Sequence, residues 1–135
     1  MSSDTAVERL MTTELETVSP DEELNAAAAT LLEQQAGSLV VLDAENQVSG
    51  ILTCTDLAEL VANSTAPSEA TVSDYMTTGV VTISPDKSLQ DAAAEMITNG
   101  IQHLPVTDND DEMIGMLSTT DITNHLTYAG SAGTD

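Results

Sequence analysis

The chain repeats itself. Shifting the sequence by 65 residues lays Val7–Val61 over Val72–Leu126 without a gap, and about a third of the superposed positions are identical. Met11-Thr12-Thr13 falls on Met76-Thr77-Thr78, Ser19-Pro20-Asp21 on Ser84-Pro85-Asp86, and Ala27-Ala28-Ala29 on Ala92-Ala93-Ala94. Gly50, Leu52, Thr55 and Asp56 fall on Gly115, Leu117, Thr120 and Asp121. A unit of roughly 60 residues buries too small a share of its surface to be comfortable alone. Tandem duplication therefore predicts two like units that pack together and solve the burial problem jointly.

Within each copy the hydrophobic period changes in a fixed order. Leu15–Val18 and Val80–Ile83 read as brief strands. Ser19-Pro20-Asp21-Glu22 reads as a helix start, with a Ser N-cap, Pro at the first helical position and an acid closing a capping box. Ser84-Pro85-Asp86-Lys87 loses that acid but keeps Asp86 for the helix dipole. The helices that follow carry an i, i+3, i+4, i+7, i+8 face: Leu24, Ala27, Ala28, Leu31 and Leu32, then Leu89, Ala92, Ala93, Met96 and Ile97. Alanines central to both faces permit close approach of another backbone, within one core or across a dimer.

Leu39–Asp43 and His103–Asp108 are short apolar runs. Polar turns over Ala44–Gln47 and Asn109–Glu112 return the chain as strands Val48–Leu52 and Met113–Leu117. A second helix is expected from about Thr55 to Ala62 and from about Thr120 to Thr127. The predicted class is α+β, two tandem βαββα repeats. The expected boundaries are a first repeat with its N-terminal lead-in at 1–63, a linker at 64–70, and a second repeat at 71–128. A small-residue tail at 129–135 is expected to fray.

Charge narrows the partners. Two cations, Arg9 and Lys87, stand against 23 acids, a net charge of −21. Double-stranded nucleic acid is not an expected partner, because the chain has no basic footprint for phosphates. Such acidity with so little lysine fits a halophilic microbe, whose molar internal salt shortens the Debye length to ~3 Å. With no Phe or Trp, the core must be aliphatic. No apolar run approaches the ~18 residues of a membrane span, and the first residues lack signal-peptide character; a cytoplasmic location is expected. Cys54 is the single cysteine, so no internal disulfide forms, and it reads as a small packing residue. His125 reads as a solvated helix residue, and no metal site is expected.

The candidate chemistry lies in Thr53-x-x-Asp56 and Ser118-x-x-Asp121. A helix N-terminus offers free N–H donors to a phosphate, a hydroxyl adds a hydrogen bond, and a carboxylate one turn in accepts from a ribose diol. The same spacing is also that of a capping box with Asp for Glu. Both readings stand on spacing alone. Gly50 and Gly115 would admit a ligand or a neighbouring backbone.

Several weak signals combine into a specific one. The Met-Thr-Thr lead-in, the Ser-Pro-Asp stretch and the Ala-rich helix are followed by Gly100-Ile101-Gln102-His103-Leu104-Pro105-Val106-x-Asp108 and Gly115-x-x-Ser118-x-x-Asp121. Over about residues 5–128 this order resembles a pair of cystathionine-β-synthase (CBS) domains, a Bateman module. The first repeat is looser, since Gly37-Ser38-Leu39-Val40-Val41 lacks the proline.

The resemblance implies repeats packed about a pseudo-two-fold axis, with adenosine ligands such as AMP, ATP or S-adenosylmethionine bound between them. One site would use Thr53, Thr55 and Asp56 with Val81, Gln102 and His103. The other would use Ser118, Thr120 and Asp121 with Glu16, Gly37 and Ser38. His103 reads equally as a ligand contact or a strand-end histidine. So acidic a chain favours AMP, adenosine or the cationic S-adenosylmethionine over ATP. The Thr53, Asp56 and His103 site is expected to be the better equipped, with single occupancy.

The expected function is a stand-alone regulatory module without catalytic activity that requires no cofactor, forms a homodimer and signals to an unidentified effector protein. No nucleophile–base pair points to an enzyme. The competing reading is a ligand-free dimerisation scaffold whose Ser/Thr-x-x-Asp stretches are only caps.

Overall fold

Each repeat builds its sheet on one hairpin, and each hairpin turns on one aspartate. In the computed structural model, which describes residues 5–34 and 37–133, β2 (Ser38–Leu42) pairs antiparallel with β3 (Val48–Thr53). Asp43 Oδ1 accepts from the N–H groups of Glu45 at 2.8 Å and Gln47 at 3.0 Å, and Asn46 closes the turn at φ 63°. The second copy repeats this between β4 (His103–Thr107) and β5 (Met113–Ser118). Asp108 Oδ1 accepts from Asp110 and Glu112, with Asp111 at φ 64°. Asn and Asp tolerate this left-handed conformation better than other side chains.

A further strand, β1 (Thr17–Val18), runs parallel to β2 with Thr17 opposite Val40. Its expected twin over Val80–Ile83 is reduced to one parallel bridge, Ile83 to Val106. The reason is Pro105. Ile83 donates to Pro105 O at 3.0 Å and accepts from Thr107 N–H at 2.9 Å. The next rung toward Val81 needs an N–H from residue 105, which proline lacks.

The chain folds as two compact units, Glu16–Val80 and Met1–Leu15 with Val81–Asp135. Each contains α+β elements in the order the repeat predicts. The Ser-Pro-Asp stretches, however, are turns and not helix caps. Glu22 N–H reaches Ser19 O at 3.2 Å and Lys87 N–H reaches Ser84 O at 3.3 Å. The helices begin later, at α1 (Leu24–Gln34) and α4 (Leu89–Asn99), the latter capped by Ser88, whose Oγ accepts from Asp91 N–H at 3.0 Å.

What delays the helices is backbone pairing with the lead-in segments. Leu24 N–H donates to Ala70 O, and Val72 N–H donates to Glu22 O at 2.9 Å, at the start of α3 (Val72–Tyr75). In the other unit Leu89 N–H donates to Thr5 O and Val7 N–H to Lys87 O at 2.8 Å, where Val7–Arg9 forms a 3-10 turn. The lead-in that precedes each repeat in sequence thus packs with the other repeat. Val7 and Val72 are wholly buried there, each burial contributing about 1.5–3 kcal/mol. The sequence boundary at residue 63 and the spatial boundary are drawn differently for this reason.

The helix faces are narrower than their apolar pattern. Leu24, Ala27 and Leu31 are buried in α1, and Leu89, Ala92 and Met96 in α4, whereas Leu32 and Ile97 are 80% and 81% exposed. α2 (Cys54–Ala62) and α5 (Thr119–Gly133) close the two repeats. α5 runs to Gly133 through most of the stretch expected to fray; residues 134 and 135 lie outside those described. No helix among the described residues is long and apolar enough to cross a membrane. Two single-residue expectations are corrected. Cys54 is exposed rather than packed, because it opens α2 on the outward side. His125 is not freely solvated: it occupies the position of core Leu60, and its Nε2 is buried with no hydrogen-bond partner among the described residues.

After the pairing, each lead-in crosses a glycine. Thr77 exchanges both backbone hydrogen bonds with Ile51, at 2.8 and 2.9 Å, and Thr12 does the same with Met116. A Cβ on Gly50 would stand 2.7 Å from Met76 Sδ and 2.8 Å from Thr77 O, and one on Gly115 would meet Met11 Sδ at 2.5 Å and Cγ at 2.9 Å. The close neighbour is therefore the chain's own lead-in. Gly50→Ala meets backbone and should cost about 1–3 kcal/mol in denaturant unfolding. Gly115→Ala meets a flexible methionine and should cost less, with most of the loss recovered on adding Met11→Ala. Equal losses without recovery would contradict this packing.

Candidate functional site

Both Ser/Thr-x-x-Asp stretches sit where a strand hands over to a helix. β3 ends at Thr53, whose φ of −124° and ψ of 169° keep it extended while α2 begins at Cys54. Its Oγ1 accepts from Asp56 N–H at 3.4 Å, and Asp56 Oδ2 accepts from Thr53 N–H at 2.8 Å. That is a reciprocal capping box. Ser118 and Asp121 do the same at the start of α5, at 3.1 Å and 2.8 Å.

The two carboxylates differ in what remains of them. Asp56 Oδ2 also accepts from Thr53 Oγ1 at 3.1 Å, and Asp56 Oδ1 accepts from Thr77 Oγ1 at 3.2 Å. Asp56 is 7% exposed, a buried charge with both oxygens engaged. Asp121 is half-buried, and among the described residues its Oδ1 accepts no hydrogen bond. Thr12, the repeat counterpart of Thr77, is exposed and makes no side-chain hydrogen bond to it. One carboxylate is consumed by the fold, and the other keeps an oxygen free. The Thr77 contact escaped sequence reading, although the repeated Met-Thr-Thr was visible; nothing local links residue 77 to residue 56.

The remaining candidates sort by unit. Glu16, Gly37 and Ser38 belong with Thr53, Thr55 and Asp56, while Val81, Gln102 and His103 belong with Ser118, Thr120 and Asp121. Ser38 lies directly opposite Thr53 in the β2–β3 ladder, and His103 directly opposite Ser118 in β4–β5. Gln102 O accepts from Thr119 N–H at 3.0 Å, using one of the free donors of α5. Thr55, Thr120, Glu16, Gly37 and Gln102 are exposed, and Val81 packs against the core of its unit. At the start of α5 the fold therefore leaves an unspent carboxylate oxygen on Asp121 beside the Ser118 hydroxyl, with His103 across the ladder from Ser118; the free oxygen is suited to a hydroxyl donor. Among the described residues no group of three His, Cys, Asp or Glu is placed to hold a metal.

Removing the engaged carboxylate should cost more than removing the free one. Asp56→Ala strands three donors and is expected to lose about 3 kcal/mol of unfolding free energy, against about 1 kcal/mol for Asp121→Ala. Thr77→Val should fall between them. Equal losses for the two aspartates would show that the Thr77 contact carries no weight.

Two stretches, residues 7–63 and 72–128, match the CBS domain family. The chain is 34% identical over 122 residues to an uncharacterized 17.7 kDa protein from the bps2 3′ region of Acidianus ambivalens, covering 90% of this chain and 73% of that one. It is 30% identical over 125 residues to a homoserine O-acetyltransferase of Methanococcus vannielii; these are 93% of this chain but only 25% of that enzyme. The fold matches that of CBSX2 in complex with AMP, with a TM-score of 0.83 and 25% identity over 93% of this chain and 98% of that one. It also matches the CBS domain pair of MJ0100 in complex with 5′-methylthioadenosine and S-adenosyl-L-methionine, with a TM-score of 0.80 and 24% identity over 90% and 99%.

Proposed function

The chain belongs to the CBS domain family, and from that premise we propose that it is a regulatory module whose Asp121 anchors an adenosine-containing ligand. The observation that carries this reading is the free Asp121 Oδ1, beside a Ser118 hydroxyl and opposite His103. A ribose diol supplies the donors that this oxygen lacks. The molecules bound in the CBSX2 and MJ0100 structures have adenosine in common. The set of Thr53, Thr55 and Asp56 is left unoccupied, because its carboxylate is already bonded to Thr77.

The sequence pointed to single occupancy at the opposite set. Single occupancy stands in this reading, with the site exchanged. A net charge of −21 favours AMP, adenosine or S-adenosylmethionine over ATP. The bound state passes to an effector protein by shifting the balance between two arrangements of the chain, which requires different affinity for each. No catalytic step is assigned to it. The acidity supports a setting in a cytoplasm of molar salt, where repulsion between acids is screened.

Calorimetry with AMP and S-adenosylmethionine at about 1 M KCl, where screening lengths are ~3 Å, tests the reading. One site per chain is expected, lost in Asp121→Ala and retained in Thr77→Val. No heat with either ligand would favour a second reading, a ligand-free scaffold. That alternative has an observation behind it too, since Thr53 and Asp56 are already engaged within the fold, in a cap and in the bond to Thr77.

The module pairs with a second copy through uncharged helix surface. Leu32, Ile97, Val61 and Leu126 are 80%, 81%, 75% and 56% exposed, and they occupy matching positions in the two repeats. Elsewhere contact with a second copy would desolvate some of the chain's 23 acids; on these faces it need not desolvate a carboxylate. Light scattering should give twice the 14.1 kDa chain mass. The doubly substituted Leu32→Glu, Ile97→Glu protein should be monomeric. A wild-type monomer at high salt would contradict the pairing.

A further inference from the structure

An open surface groove of about 370 Å³, lined by exposed side chains around a buried Ile83, lies within the unit that contains Val81–Asp135, where the chain enters α4. Thr82, Ser84 and Lys87 form one side, and Asp91, Ala94 and Glu95 form the other along the helix. Its volume falls within the ~300–1,000 Å³ of small-molecule sites.

Lys87 is the feature that folding does not explain. It is one of two cations among 23 acids, and it stands just before Ser88, the N-cap of α4. A positive charge there opposes the helix dipole. Among the described residues it makes no ion pair, although two carboxylates line the same groove. The first repeat has Glu22, Ala26 and Thr30 at the positions of Lys87, Asp91 and Glu95. One cation and two acids therefore occur together in the second copy, where the first has a different set.

These charges select a ligand with two ends. A simple anion would meet Asp91 and Glu95, and a simple cation would meet Lys87. A molecule bearing a carboxylate and an ammonium on neighbouring atoms satisfies both. We propose that this groove binds a free α-amino acid, its carboxylate on Lys87 Nζ and Ser84 Oγ and its ammonium on the Asp91 and Glu95 carboxylates. The first repeat, lacking the cation, offers no such site. The groove is formed by residues other than Asp121 and its neighbours, and the inference does not rest on adenosine binding.

Amide shifts of the ¹⁵N-labelled full chain, titrated with L-alanine and with L-glutamine, test the assignment. Saturable shifts are expected at residues 82–95, with dissociation constants of the order of millimolar for so open a site. Propionate and ethylamine, each lacking one end, should bind about tenfold more weakly. Lys87→Glu restores the residue of the first repeat and so preserves the turn; it should weaken binding by about tenfold or more. Asp91→Ala with Glu95→Thr should do the same, while AMP affinity stays unchanged in both variants. No saturable shift with either amino acid, propionate binding as tightly as L-alanine, or binding that survives Lys87→Glu would each overturn the proposal.

Discussion

The pairing of each lead-in with the entrance to the other repeat's first helix is the interaction on which the rest depends. Residues 22–24 and 87–89 are held extended by bonds to Ala70, Val72, Thr5 and Val7. Because they are held, α1 and α4 start late and the Ser-Pro-Asp stretches become turns. Because the lead-ins are drawn in, Val7 and Val72 fill cores that their own repeats do not contain. Neither repeat is complete on its own residues, and duplication is what makes the exchange possible. The same geometry demands Gly50 and Gly115, where each lead-in lies against β3 or β5.

That constraint also separates the two carboxylates. The Thr77 that bridges to Ile51 turns its hydroxyl onto Asp56, and a buried acid gains a partner it needs. Thr12 bridges to Met116 in the same way, yet its hydroxyl does not reach Asp121. Two copies of one sequence pattern have thus diverged while keeping its aspartate and the lead-in threonine. In one repeat, helix cap and lead-in latch share the aspartate. In the other, the cap leaves an oxygen over.

How far the sequence could be read follows the range of each interaction. The hairpins were legible because Asp43 and Asp108 act within four residues, and the helices because their period is local. The 65-residue repeat gave the architecture, since it needs no physics beyond self-comparison. The late helix starts were not legible, because the bonds that cause them join residues 22 and 72, or 7 and 87. The outward turn of Leu32 and Ile97 was hidden for a similar reason: an apolar stripe does not state how wide the neighbouring surface is. His125 shows the limit most plainly, a polar residue in the place that Leu60 fills with hydrocarbon. At the candidate site the cap geometry was legible and its availability was not, because that turns on a hydroxyl 21 residues away.

One aspartate serves the fold, and the proposed function gives the other to a ligand. A crystal structure of the chain grown with AMP tests it directly. Ribose hydroxyls on Asp121 Oδ1 and an intact hydrogen bond from Thr77 to Asp56 are expected. Ribose on Asp56, with Thr77 displaced and Asp121 left bare, would contradict it.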